Sequence, residues 1–116
     1  MESESLRDIV TLALEDMKAR NVQILDVREQ TSVTDFMVVA SGTSNRHVRS
    51  IAQDVVTKAK AAGIQPLGVE GERTAEWVLV DLGDVVVHVM LPQVREFYQL
   101  ERLWDLPPAT VHARQH

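Results

Sequence analysis

The spacing of apolar positions changes several times along the chain, and each change marks an element. Leu6, Ile9, Val10, Ala13, Leu14 and Met17 recur three and four residues apart, which places them on one face of a helix. Ser5 is its expected N-cap, with Asp8 three residues on, and Asn21 its expected stop. Val22 to Val27 reads as a short strand. The polar stretch Arg28 to Ser32 then leads to Asp35-Phe36-Met37-Val38-Val39-Ala40, a nearly continuous apolar run suited to a central strand covered on both faces. Helical spacing returns with Val48, Ile51, Ala52, Val55, Val56, Ala59 and Ala62. Thr43 or Ser44 is the expected N-cap of this second helix and Gly63 its terminator. Leu67 to Glu70 reads as a short, irregular strand among glycines and a proline.

Glu76 to Leu106 organises the remainder. Glu76–Asp81 and Asp84–Leu91 are rich in β-branched and aliphatic residues and read as a hairpin. With Leu82 and Gly83 as the two turn residues, Asp81 pairs with Asp84, Leu79 with Val86 and Trp77 with His88. Alternation then sorts the side chains. One face carries Val78, Val80, Val85, Val87 and Val89 and reads as core. The other carries Trp77, Leu79, Asp81, Asp84, Val86, His88 and Met90. That mixture of an aromatic, apolar groups and carboxylates suits a surface covered by another protein. It equally suits a face covered by helices of the same chain, with His88 a satisfied core histidine. After Pro92, a helix from Gln93 to about Trp104 turns Val94, Phe97, Leu100, Leu103 and Trp104 to one side. Asp105-Leu106-Pro107-Pro108 ends it, which gives one domain over residues 1–106 and a tail over 107–116 that reads as disordered.

The order α-β-β-α-β-β-β-α predicts an α/β (α+β) domain with a single mixed sheet of about five strands flanked by helices. At 116 residues the chain can bury roughly two-thirds of its unfolded surface, enough for one core. It has no cysteine, so neither a disulfide framework nor a thiolate metal site is available, and a cytoplasmic location is expected. Its apolar runs are strand-length, so no membrane association is expected. A formal charge of −5 argues against sequence-independent binding to nucleic acid and favours a basic protein partner.

Candidate chemistry is sparse. Ser41-Gly42-Thr43-Ser44-Asn45-Arg46-His47 joins a strand to a helix N-terminus, and Thr43, Ser44 and Arg46 form a candidate anion site. The loop lacks a Walker lysine, and a hydroxyl-capped turn is the plainer reading. His47, His88, His112 and His116 show no metal-binding spacing, so no metal and no cofactor is expected. Asp81 and Asp84 are the only tempting carboxylate pair, and they flank a turn. The alternative to a binding protein is a nucleotidyltransferase-type enzyme that cradles phosphate with Ser41-Gly42-Thr43-Ser44 and holds a metal with Asp81 or Asp84.

Four segments, in order, then acquire a common meaning: Asp35 to Val48, Glu76 to Asp81, Gly83 to Val89, and Pro92 to Trp104. In these the chain resembles the ribosomal silencing factor S family, also called the Iojap family. The resemblance implies a nucleotidyltransferase-like fold without catalytic residues, and no enzymatic activity. It implies a cytoplasmic bacterial factor, often a homodimer, that binds the large ribosomal subunit through ribosomal protein number fourteen. There it would block joining of the small subunit and repress translation under nutrient limitation; a part in subunit assembly is not separable from this role. On the matching residues, Trp77 is the expected partner-binding anchor. Asp81, His88, Met90 and Pro92 surround it, Leu79 is contact or support, and Phe97, Leu100 and Trp104 are structural.

Overall fold

A computed structural model describes residues 1–99, so the expected tail lies outside the described residues. Helix α1 (Ser3–Asp16) is followed by β1 (Arg20–Asp26), β2 (Phe36–Ser41), α2 (Asn45–Ala61), β3 (Gly68–Glu70), β4 (Trp77–Asp81), β5 (Val85–Met90) and α3 (Pro92–Tyr98). The expected order of elements holds throughout. The strands form one sheet in the order β1-β2-β5-β4-β3. Only β2 and β5 run parallel; the other neighbours are antiparallel. All six residues of β2 are buried, as its unbroken apolar run requires of a strand covered on both faces.

One face of the sheet is the main core. Val38, Val78, Val80, Val85, Val87 and Val89 pack there against Leu6, Val10 and Leu14 of α1 and Val48, Ile51 and Val55 of α2. Both helices lay their apolar stripe on the sheet, which is why the helical periodicity in those segments was so regular. Lys58 of α2 reaches Asp16 at the end of α1 and Asp54 one turn back on its own helix, a half-exposed pair of contacts at the seam between the helices. No helix among the described residues is long and apolar enough to cross a membrane.

The helix starts and the hairpin differ in detail from expectation. α1 begins two residues before Ser5, with Glu2 in the N-cap position and no side-chain cap bond. It ends at Asp16, and Asn21, expected as its stop, lies inside β1. In the hairpin, Trp77 pairs with Met90, Leu79 with His88 and Asp81 with Val86, so the pairing is displaced by two residues from the sequence reading. The cause is the turn. Leu82 N–H donates to the Val85 carbonyl at 3.0 Å, which makes Gly83 and Asp84 the central pair in place of Leu82 and Gly83. Gly83 has φ +87°, the conformation a tight hairpin needs at its first central position and glycine adopts without penalty. A shift of two residues is one full strand period, so no side chain changes face.

Candidate partner-binding face

The second face of the sheet is assembled from residues in register. One row runs Gln23, Val39, His88, Leu79, Glu70 across all five strands; the next runs Leu25, Met37, Val86, Asp81, Gly68. Trp77 pairs with Met90, and Met90 with Ser41, in a third row. Val27, Met37, Val39 and Met90 are buried here and form a second, smaller core, with Leu25, Trp77 and Val94 of α3 packed on it. The β4 residues of this face, Trp77, Leu79 and Asp81, are half-buried, as are Val86 and Leu25. The face is thus neither a sealed core nor a solvated one: α3 covers one end, and an apolar strip through Leu25, Val86, Leu79 and Trp77 remains partly open.

Trp77 is held in a defined orientation. Its indole Nε1–H donates to Nδ1 of His88 at 2.9 Å, and the rings lie 5.8 Å apart. Because Nδ1 is the acceptor, the neutral imidazole carries its proton on Nε2. His88 is only 8% exposed. Burial pushes the imidazole below its ordinary value near 6.5, to about 4, since a charged ring would lose its hydration there. Tyr98 packs on the indole with centroids 4.9 Å apart, and Phe97 meets Tyr98 edge-on at 5.0 Å. Four rings therefore run in sequence across this corner, from buried His88 to exposed Phe97.

The sequence-predicted residues separate into three groups in space. Trp77, Leu79 and Asp81 lie on the open strip, and Pro92 is exposed at the first turn of α3. His88 lies just beneath, in contact with Trp77. Met90 is fully buried, so the expectation of a surface contact is corrected: it is part of the floor on which Trp77 packs. Asp81 serves its turn, accepting from the Gly83 N–H at 2.9 Å. Phe97 also differs from expectation. It is 81% exposed, and Arg95 is the buried residue of α3, with one guanidinium nitrogen donating to Ser41 Oγ at 3.1 Å. Leu100 and Trp104 fall outside the described residues.

The strand-to-helix loop is occupied by its own side chains. Ser44 caps α2, its Oγ accepting from the His47 N–H at 3.0 Å. The His47 ring accepts from the Thr43 N–H through Nδ1 at 2.9 Å, and its Nε2–H donates to the Met17 carbonyl at 2.7 Å. Thr43 and Ser44 are thereby committed to joining α2 to the end of α1. Arg46 is exposed, whereas Arg49 turns back and donates to the carbonyls of Glu72 and Arg73. Asn45 likewise donates to the Thr74 carbonyl. Sequence reasoning missed this clamp on the 71–75 loop, because a carbonyl acceptor leaves no mark on residue type. Ser44→Ala is expected to lower unfolding free energy by about 1 kcal/mol, the usual worth of a hydroxyl cap. Chemical denaturation of the variant measures it directly.

Comparison with known proteins gives this geometry its context. A family model described as "Ribosomal silencing factor during starvation" matches residues 1–115. A Chromobacterium violaceum protein named ribosomal silencing factor RsfS is 48% identical over 104 residues, covering 90% of this chain and 85% of that protein. A crystal structure from the same organism superimposes with a TM-score of 0.89 at 47% identity, covering 92% of this chain and 89% of the other. A mouse protein named mitochondrial assembly of ribosomal large subunit protein 1 is 34% identical over 102 residues, which span 85% of this chain and 45% of that longer protein. With the family model matched over nearly its whole length, this chain belongs to the ribosomal silencing factor RsfS family.

Proposed function

We propose that this protein silences ribosomes by occupying the large subunit. It binds ribosomal protein number fourteen with the open strip of its second sheet face, with Trp77 as anchor and Leu79, Asp81 and Pro92 around it. Bound there it obstructs joining of the small subunit and represses translation when nutrients are limiting. The reading is of a cytoplasmic, homodimeric, non-enzymatic factor that needs no cofactor. The observation that carries it is the half-buried indole locked by His88 at one end of an apolar strip whose other residues, Leu79, Val86 and Leu25, remain partly open. Aromatic anchors of this kind, set on a rigid floor, dominate the energetics of protein interfaces.

The nucleotidyltransferase alternative is less well supported by the same geometry. Ser44 Oγ already accepts from the His47 N–H, the Thr43 N–H already donates to His47 Nδ1, and Asp81 holds the Gly83 N–H. The name of the mouse relative supports a second role, in assembly of the large subunit, which would use the same surface.

The test is co-sedimentation of the purified protein with separated ribosomal subunits, followed by subunit joining. The protein should pellet with the large subunit alone and lower the yield of joined ribosomes in proportion to occupancy. Pelleting with neither subunit sinks the reading. Binding without any effect on joining removes the occlusion step and leaves the assembly role.

A further inference from the structure

The open strip ends at the β3–β4 edge in a concavity. Glu70, Gly71, Trp77 and Leu79 line a shallow, open hollow of about 290 Å³. Gly71 forms part of its wall. Its φ is +89°, and a Cβ built there would lie 2.0 Å from the Trp77 carbonyl oxygen, so only glycine lets the chain pass this close to β4. Leu79, half-buried, gives the hollow an apolar floor, and the indole of Trp77 gives it an aromatic wall.

The rim is acidic. Glu70 is the last residue of β3 and pairs across the ladder with Leu79, so both project from the second face. It is exposed, and among the described residues it takes part in none of the ion pairs. Asp81 stands two residues further along β4 on the same face, also outside every ion pair among the described residues. Glu70 thus lines an apolar hollow, with Asp81 one row further along the same face, and neither is ion-paired among the described residues.

One kind of side chain matches a greasy floor, an aromatic wall and an acidic rim: a long methylene stem ending in a cation. The stem can lie on Leu79 while the head meets Glu70 and rests against the indole. We infer that this hollow receives a single arginine or lysine side chain of the protein that docks on the Trp77 face. The inference rests on the docking reading above and adds its specificity. It also decides what kind of ribosomal surface this edge can meet. Ribosomal RNA presents phosphates, which Glu70, Asp81 and the overall charge of −5 repel, so the contact here is with protein.

The experiment measures affinity of the full chain for purified large subunits at low and high monovalent salt, for wild type, Glu70→Gln and Glu70→Lys. Glu70→Gln keeps the shape and removes the charge. It is expected to bind roughly tenfold more weakly at low salt and to approach wild type at high salt, where the ion pair is screened. Glu70→Lys is expected to lose roughly a hundredfold, since it sets like charges against each other in the hollow. Glu70 is exposed, so both variants should show the wild-type circular dichroism spectrum. If wild type binds and both variants bind equally well at both salts, the subsite is overturned. Tighter binding by Glu70→Lys would overturn it too, and would identify a phosphate at this edge. Failure of wild type itself to bind would instead overturn the docking reading beneath it.

Discussion

Trp77→Ala is expected to weaken binding to the large ribosomal subunit by about 3 kcal/mol, roughly a hundredfold, while leaving a folded protein. The indole is half-buried, so part of its area is free to be covered by a partner while the rest anchors it on Met90 and Tyr98. Its orientation is fixed before any partner arrives, by the bond to His88 Nδ1 and the contact with Tyr98. Little rotamer freedom then remains to be lost on docking, and that pre-organisation is what makes a single side chain worth so much. Truncation also strips His88 of its donor, so unfolding free energy should fall by about 1 to 2 kcal/mol, within what one domain tolerates. Trp77→Phe separates the effects. It retains an aromatic surface but no N–H, and should lose less than roughly tenfold in affinity. Sedimentation with large subunits, beside circular dichroism, reads both quantities. A folded alanine variant with unchanged affinity would remove Trp77 from the interface.

Much of this face was legible in the sequence, and the physics explains which part. Strand alternation has a period of two, so the division of Val78, Val80, Val85, Val87 and Val89 from Trp77, Leu79, His88 and Met90 survived an error of two residues in the hairpin register. The error itself arose because Leu82-Gly83 and Gly83-Asp84 are both acceptable turn pairs on composition. Only the Leu82–Val85 hydrogen bond distinguishes them. Depth was less legible than facing. Met90 and Leu79 share a face, yet Met90 is fully buried beneath α3 and Leu79 is half-open at the β3 side.

The largest misreading concerned α3. Apolar spacing grouped Val94 with Phe97 and turned both inward, but the residue that α3 buries is Arg95. A buried arginine defeats a hydrophobicity pattern, because its burial depends on a polar partner, here Ser41 at the end of β2, fifty-four positions away. With Arg95 inward, Phe97 turns outward and extends the ring sequence from Trp77 through Tyr98. The hollow beside Trp77 was likewise invisible in sequence. It depends on Gly71, whose need for positive φ and close approach to the Trp77 carbonyl appears only once the 71–75 loop is folded.

Acidification from pH about 7 to about 4 is expected to remove about 3 kcal/mol of stability through His88 alone. The unfolded imidazole takes up a proton near 6.5, whereas the folded one resists until about 4, because burial disfavours the charged ring. Across that interval the unfolded state binds the extra proton, so unfolding free energy falls by up to about 1.4 kcal/mol per pH unit and levels off below pH about 4. The neighbours offer no relief to a charged ring from within its row: Val39 and Leu79 flank it on the two adjoining strands, and Trp77 presents an N–H to the very nitrogen that would be protonated. The carboxylates of this face, Asp81 and Glu70, stand nearer the β3 edge. Asp26 acts in a different window. Its hydrogen bonds from Arg28 hold it at about 2, so what it contributes is lost only as pH falls below the ordinary carboxylate range. Urea denaturation at a series of pH values measures the fall, and His88→Gln, which cannot titrate, should flatten it between pH about 6.5 and about 4. In the folded protein the ring takes up its proton only near pH about 4, which removes the acceptor that orients Trp77, so wild-type affinity for the large subunit should hold down to that point and fall there, and stay level in the variant. An unchanged stability slope in His88→Gln would assign the acid sensitivity to other groups and leave the indole's lock independent of pH.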